Sequence, residues 1–118
     1  MILHITSRGD WKAAQTRGSY VAPSLDAEKF IHCSTEKQVL HVANAFYRGR
    51  NDLVLLVIDE AKLEPRLKWE PPAAQPAAGI SETDSFPHIY GPINLSAVTS
   101  VVDFAPGSDG TFILPVLS

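Results

Sequence analysis

A lone cysteine, Cys33, leaves the 118-residue chain without an intrachain disulfide, and nothing in its composition points to an oxidising compartment. An excess of basic charge is missing too. Lys and Arg number 10 against 13 Asp and Glu, for a net charge of -3 and a pI near 5.7. That balance lacks the basic patch of a dedicated nucleic-acid binder, so a nucleic-acid partner is not expected. A small anionic ligand stays open, because a few local donors suffice to hold one. Long apolar runs are absent: the longest aliphatic stretch, 53–58, is far too short to span a bilayer. Arg8 and Asp10 interrupt the amino terminus before an apolar signal-peptide core can form, so the expectation is a soluble cytoplasmic protein with no membrane contact. Familiar catalytic signatures are also lacking. There is no G-x-x-x-x-G-K-[ST], G-x-G-x-x-G, H-E-x-x-H, C-x-x-C or G-x-S-x-G, which removes support for ATPase, Rossmann dehydrogenase, zincin and α/β-hydrolase readings.

What is present reads as globular. Hydrophobic residues make up 45% and charged residues 19%, and the length suits one domain over 1–118. A chain of this size buries roughly two thirds of its unfolded surface, enough for a core.

Residues 2–6 read as a first strand, with Ile2, His4 and Thr6 on one face. Asp10 is placed to cap a short helix through about Thr16, ended by Gly18. A turn with one helical turn over 21–30 leads to a strand at 30–34. Thr35 and Gln38 fit the S/T-x-x-E/Q capping box, and Val39, Val42, Ala43 and Phe46 form an apolar stripe behind it. His41 falls opposite that stripe and is expected to face solvent. Strands are expected at 53–58, 66–70, around Ile89, at 98–104 and at 112–114. Between them, 71–85 is a Pro/Ala-rich loop without period, read as an insertion or a flap. Strands at both ends and helices in the first half give an α+β class.

Three histidines lie at strand positions: His4 in MILHIT, His32 in FIHCST and His88 in FPHIYGPI. Hydroxyls accompany them at i+2 on the same face: Thr6, Ser34 and Tyr90. Imidazole can donate, accept or titrate near neutral pH, and with hydroxyls it suits sugar hydroxyls and phosphates. Other uses of the same residues are core or edge histidines with satisfied nitrogens, a zinc site, and a Ser34 hydrolase. No local ligand pair supports zinc, and no metal is expected. Cys33 points away from His32, against a Cys–His nucleophile. Glu70, beside Trp69 and before two prolines, is either a partly buried carboxylate with a raised pKa or a surface carboxylate ending an edge strand. Trp11 and Trp69 are read as core. Pro87 and Pro92 place the FPHIYGPI strand at a sheet edge or bend, with its polar faces near solvent.

LHIT, Trp11, KFIHCST with Gln38-Val39, DLVLLVID, KWE, FPHIYGPI and DGTFILP together resemble DUF952, a family of small bacterial proteins of unknown function. The resemblance runs in order over nearly the whole chain, outside the Pro/Ala segment. It implies an ADP-ribosyltransferase-like fold, with split β-sheets and a cleft between them. In proteins of that fold a first-strand histidine holds a ribose, which His4 matches, and a hydroxyl on a later strand is matched by Ser34 or Thr35. The late-strand glutamate of the familiar transferases has no counterpart beside His88 and Tyr90, and Glu70 and Glu82 precede that point. The site expected from residues and resemblance has His32, His88 and Glu70 as acid–base groups. Its ligand contacts are His4, Thr6, Ser34, Thr35 and Tyr90. The expected ligand is NAD or a related nucleotide, as substrate or ligand of an ADP-ribosyl- or phosphotransferase-like protein. A non-catalytic small-molecule sensor and a metal-dependent hydrolase are the alternatives.

Overall fold

The computed structural model describes residues 1–72, 78–81 and 83–117. The fold is mixed α+β. Its strands are β1 (Ile2–Ser7), β2 (Ser19–Tyr20), β3 (Ile31–His32), β4 (Leu53–Ile58), β5 (Arg66–Glu70), β6 (Phe86–Tyr90), β7 (Ile93–Asn94) and β8 (Val98–Phe104). Among the described residues three α-helices, α1 (Arg8–Arg17), α2 (Pro23–Glu28) and α3 (Val39–Phe46), all precede β4, and two single 3-10 turns, Glu60–Lys62 and Leu95–Ala97, follow it. The strands form three antiparallel sheets, β1-β4-β8, β2-β7 and β3-β6-β5.

β4, LVLLVI, is buried at every position because it is central in its sheet and covered on both faces. Val54, Leu56 and Ile58 join Ile2, Ile31, Cys33 and Ile89 in one core. Leu53, Leu55 and Val57 join Leu3, Ile5, Val39, Ala43, Phe104 and Phe112 in a second. The alternation of β4 is therefore apolar on both sides, which is why it reads as an unbroken run.

Local chemistry sets the helix ends. Ser7, not Asp10, caps α1: its hydroxyl accepts from the Asp10 N–H at 3.0 Å. Asp10 sits in the first turn, where a carboxylate suits the helix dipole. Gly18 closes the helix at φ 97°, a left-handed conformation that a side chain resists. The capping box before α3 is formed in both directions. The Gln38 N–H donates to Thr35 Oγ1 at 3.3 Å, and the Thr35 N–H donates to Gln38 Oε1 at 3.0 Å. Val39 and Ala43 are buried as the stripe requires, but Phe46 is 62% exposed because the helix ends there and its last turn leaves the core. His41 is exposed.

Three further expectations change. β6 is the centre of its sheet, not an edge. Pro87 is tolerated because its carbonyl accepts from the Cys33 N–H, so its missing N–H also points toward β3, whose regular pairing has stopped at His32. Residues 112–114 form no strand; Phe112 instead packs its ring on Phe104, centroids 4.6 Å apart. Trp69 is 46% exposed and Trp11 only partly buried against the first core. Within the Pro/Ala loop, 73–77 and Glu82 lie outside the described residues. The described return of the loop rests on α3: Gly79 lies against the His41 ring, and the Ser85 carbonyl accepts from Gln38 Nε2 at 2.8 Å.

Candidate functional site

The site begins where two sheets part. Leu3 and Ser34 exchange both backbone hydrogen bonds, each 2.8 Å, and stitch β1 to the chain after β3. Continued in that register, Ile5 would stand opposite His32. Instead the strands diverge, and the His4 side chain spans the gap: its Nδ1 lies 2.6 Å from the His32 carbonyl oxygen. Tyr20 is carried to the same place by β2, which follows the Gly18 turn and pairs with β7.

The protons of this chain are assigned from the carbonyl outward. A carbonyl only accepts, so Nδ1 of His4 carries the hydrogen and Nε2 is bare. Nε2 then takes the proton of Tyr20 Oη, 2.8 Å away. With its one proton committed, Tyr20 Oη accepts from Thr6 Oγ1, at 2.9 Å. The chain runs Thr6 to Tyr20 to His4 to the β3 backbone. Burial pushes the His4 pKa down from 6.5 to about 4, so the ring is neutral at pH 7. Burial likewise pushes Tyr20 up to about 12. Thr6, having given its proton inward, presents only lone pairs to anything beside it.

His4, Thr6 and Tyr20 line a cleft of about 320 Å³ together with Asp10, Ser34, His32 and Arg50. Ser34 is buried and its hydroxyl makes no side-chain hydrogen bond among the described residues. Arg50 is the cleft's cation, but Asp52 holds its guanidinium by two bonds of 3.1 and 2.8 Å. The cleft thus offers acceptors and a free hydroxyl, with its one guanidinium neutralised.

A second cluster occupies the outer face of β3-β6-β5. Glu70 Oε1 accepts from His88 Nδ1 at 2.9 Å and from Tyr90 Oη at 2.5 Å. The hydroxyl of Tyr90, then the His88 ring, hold the Glu70 carboxyl below its usual range; the raised pKa considered above is corrected to a lowered one. Hydrogen bonds to the carboxylate outweigh its partial burial. His88 is buried, not on a wet face, and stacks on Phe30 at 4.1 Å. His32 Nε2 pairs with Glu28 at 2.8 Å, and its ring lies 5.6 Å from that of His88. Each imidazole is therefore oriented by a carboxylate through one nitrogen. The other nitrogen, Nε2 on His88 and Nδ1 on His32, makes no hydrogen bond among the described residues.

The structure sorts the expected residues into two groups joined at His32, whose carbonyl holds His4 and whose ring neighbours His88. His4, Thr6, Ser34 and His32 line the cleft. His88, Glu70 and Tyr90 form the second cluster. Thr35 spends its hydroxyl on the α3 cap and does not line the cleft. Tyr20, Asp10, Arg50, Glu28 and Phe30 were not foreseen. Tyr20 sits on a two-residue strand, which has no periodicity to detect; Glu28 and His32 carried a weak signal, their spacing of four residues. Among the described residues no group of three His, Cys, Asp or Glu side chains is placed to hold a metal ion.

The chain is thus a mixed α+β protein with a polar cleft where two of its sheets part. The profile of DUF952, described as a protein of unknown function, matches residues 5–101, and the chain belongs to that family. Three solved structures of protein CC0527 from Caulobacter crescentus are similar to it. One crystal structure is 33% identical with a TM-score of 0.80, over 95% of this chain and 92% of that one. That of a double mutant is 32% identical with the same TM-score and coverage. The solution structure is 34% identical with a TM-score of 0.75, over 93% and 89% of the two chains. No curated protein matches.

Proposed function

We propose that the protein binds NAD or a related nucleotide in the cleft between β1 and β3, through the hydroxyls of a ribose. The arrangement that carries this reading is the Thr6–Tyr20–His4 hydrogen-bond chain, its protons assigned from the contact of His4 Nδ1 with the His32 carbonyl. It leaves Thr6 as an acceptor facing a cleft that also offers the free Ser34 hydroxyl. A vicinal diol, which donates and accepts, complements that pair; a bare phosphate does not, because Arg50 is neutralised by Asp52. The volume, about 320 Å³, suits a nucleoside. The ADP-ribosyltransferase-like fold that the family resemblance implies points to the same ligand class. On this reading an ADP-ribosyl- or phosphotransferase-like reaction would use His32, which lines the cleft, as its acid–base group, with the Glu70–His88 pair behind it. A second reading, a non-catalytic sensor, is favoured by one observation: His88, Glu70 and Tyr90 do not line the cleft.

The test is calorimetry with adenosine, ADP-ribose, NAD and ribose-free adenine, on the wild type and on Thr6→Val and Ser34→Ala. Ribose-bearing compounds should bind, and each variant should weaken them about tenfold, the worth of a lost hydrogen bond in a desolvated site. Equal binding of adenine and adenosine, or no binding by any of them, would sink the reading. Turnover of NAD that disappears in His88→Ala would decide for the enzyme over the sensor.

A further inference from the structure

Among the described residues, Asp10 and Arg50 are the two groups with a full charge that line the cleft, and they are not equivalent. Both carboxylate oxygens of Asp52 hold the Arg50 guanidinium, which also lies over the Tyr47 ring, 5.7 Å from its centroid. The Asp10 carboxylate makes no hydrogen bond and no ion pair among the described residues; only its backbone N–H is used, by the Ser7 cap. Arg8, two positions earlier, turns instead to Asp103 at 3.6 Å and to the Asn51 carbonyl at 3.2 Å. His32 has its own carboxylate, Glu28, at 2.8 Å. Asp10 and Asp52 thus set two negative charges against the single positive charge of Arg50. Burial dominates the pKa of His4 and of Tyr20, and Asp10 adds an upward push on both, as a negative charge close to the same cleft must.

We infer that the cleft selects a riboside whose base carries a positive charge, and that Asp10 is the residue that decides it. On the ribose reading, which this selectivity rests on, Thr6 and Ser34 hold the diol, and Asp10 in the same cleft supplies the counter-charge for the base. The walls favour such a ligand. Leu3, Ile5, Val42 and Leu53 are apolar surfaces against which a flat ring can lie, and they focus the field of the carboxylate. A charge spread over a heterocycle is weakly hydrated and loses little on leaving water, as with a guanidinium. A metal ion is not the cation meant, since no three ligating side chains converge among the described residues. Asp52 acts from outside the cleft. By occupying Arg50 it removes the one charge that would repel a cation. Because Asp10 is exposed, its attraction is screened, and the preference expected for a cation over its neutral parent is about threefold to fivefold.

The experiment is calorimetry with 1-methyladenosine, a cation at neutral pH, and with adenosine, its neutral parent bearing the same ribose. It is run at about 0.01 M salt, where charges are felt over about 30 Å, and at about 1 M, where the range is about 3 Å. The wild type should prefer the cation at low salt and lose the preference at high salt. Asp10→Asn should bind both ribosides alike, while Asp10→Glu, which keeps the charge, should keep the preference. Loss of preference in Asp10→Asn separates the charge of the ligand from the shape of its methyl group. Asp52→Ala frees Arg50 and raises the charge of the cleft by the same amount without touching the first turn of α1, so it should also bind both alike, and it decides the matter if Asp10→Asn does not fold. A wild type that binds the two ribosides equally overturns the inference and leaves the ribose reading standing. So does a preference that persists in Asp10→Asn, or one that is unchanged at high salt. Binding of neither riboside overturns the ribose reading and this selectivity with it.

Discussion

His4 shows how one side chain is defined by what surrounds it. Its Nδ1–H is spent on a carbonyl and its Nε2 on a phenol, so a second proton would break the bond from Tyr20 and place a charge in a dry site. Unfolded, the ring takes a proton near 6.5; folded, only near 4. Between those values the unfolded chain binds more protons than the folded one. Stability should therefore fall as pH is lowered through that window, by up to about 3 kcal/mol from this one group. Urea unfolding at pH 7.0, 5.5 and 4.5 checks it against His4→Gln, which does not titrate. The wild type should lose more stability over that range than the variant. Parallel profiles would mean that His4 is not held neutral by the fold.

At the scale of elements, β6 is where sequence and structure part most. Its span and its two faces are legible, because Phe86, Ile89 and the flanking prolines mark a short extended segment. Its place in the sheet is not, since an edge was inferred from a missing N–H that the structure points away from β5. Burial of the polar face was not legible either. Phe30 covers His88, and that contact depends on how the chain leaves α2 through Lys29 at φ 75°. Ile89, fully buried, should cost about 2–5 kcal/mol on truncation to Ala. His88→Ala should cost about 2 kcal/mol or more, since it opens a void under Phe30 and strips Glu70 of a donor. Tyr90→Phe, half-exposed, should cost about 1 kcal/mol or less. Chemical denaturation of the three variants orders them; a His88→Ala protein as stable as Tyr90→Phe would show that Phe30 does not seal the ring.

For the whole molecule, the run 53–58 gave away a buried strand but not that it divides two cores. Periodicity reports that a residue is buried, never against what. The site was half legible for the same reason: the i and i+2 spacing put hydroxyls beside histidines, while the separation into two groups comes from how the sheets diverge past Leu3 and Ser34. That arrangement makes β4 common to both cores, with Leu55 facing one and Leu56 the other. Neither core can lose β4 and persist, so the chain should unfold in one transition. Trp11 packs against the first core, and nothing in the second core carries a tryptophan. Leu55→Ala opens a void in the second core alone, at a cost of about 2–5 kcal/mol. Indole fluorescence, whose two sources Trp11 and Trp69 both lie outside the second core, should nonetheless report the full loss, at the same denaturant midpoint as far-ultraviolet circular dichroism. Two separated midpoints in Leu55→Ala, with the fluorescence transition left at its wild-type value, would show that the cores unfold independently and that β4 does not couple them.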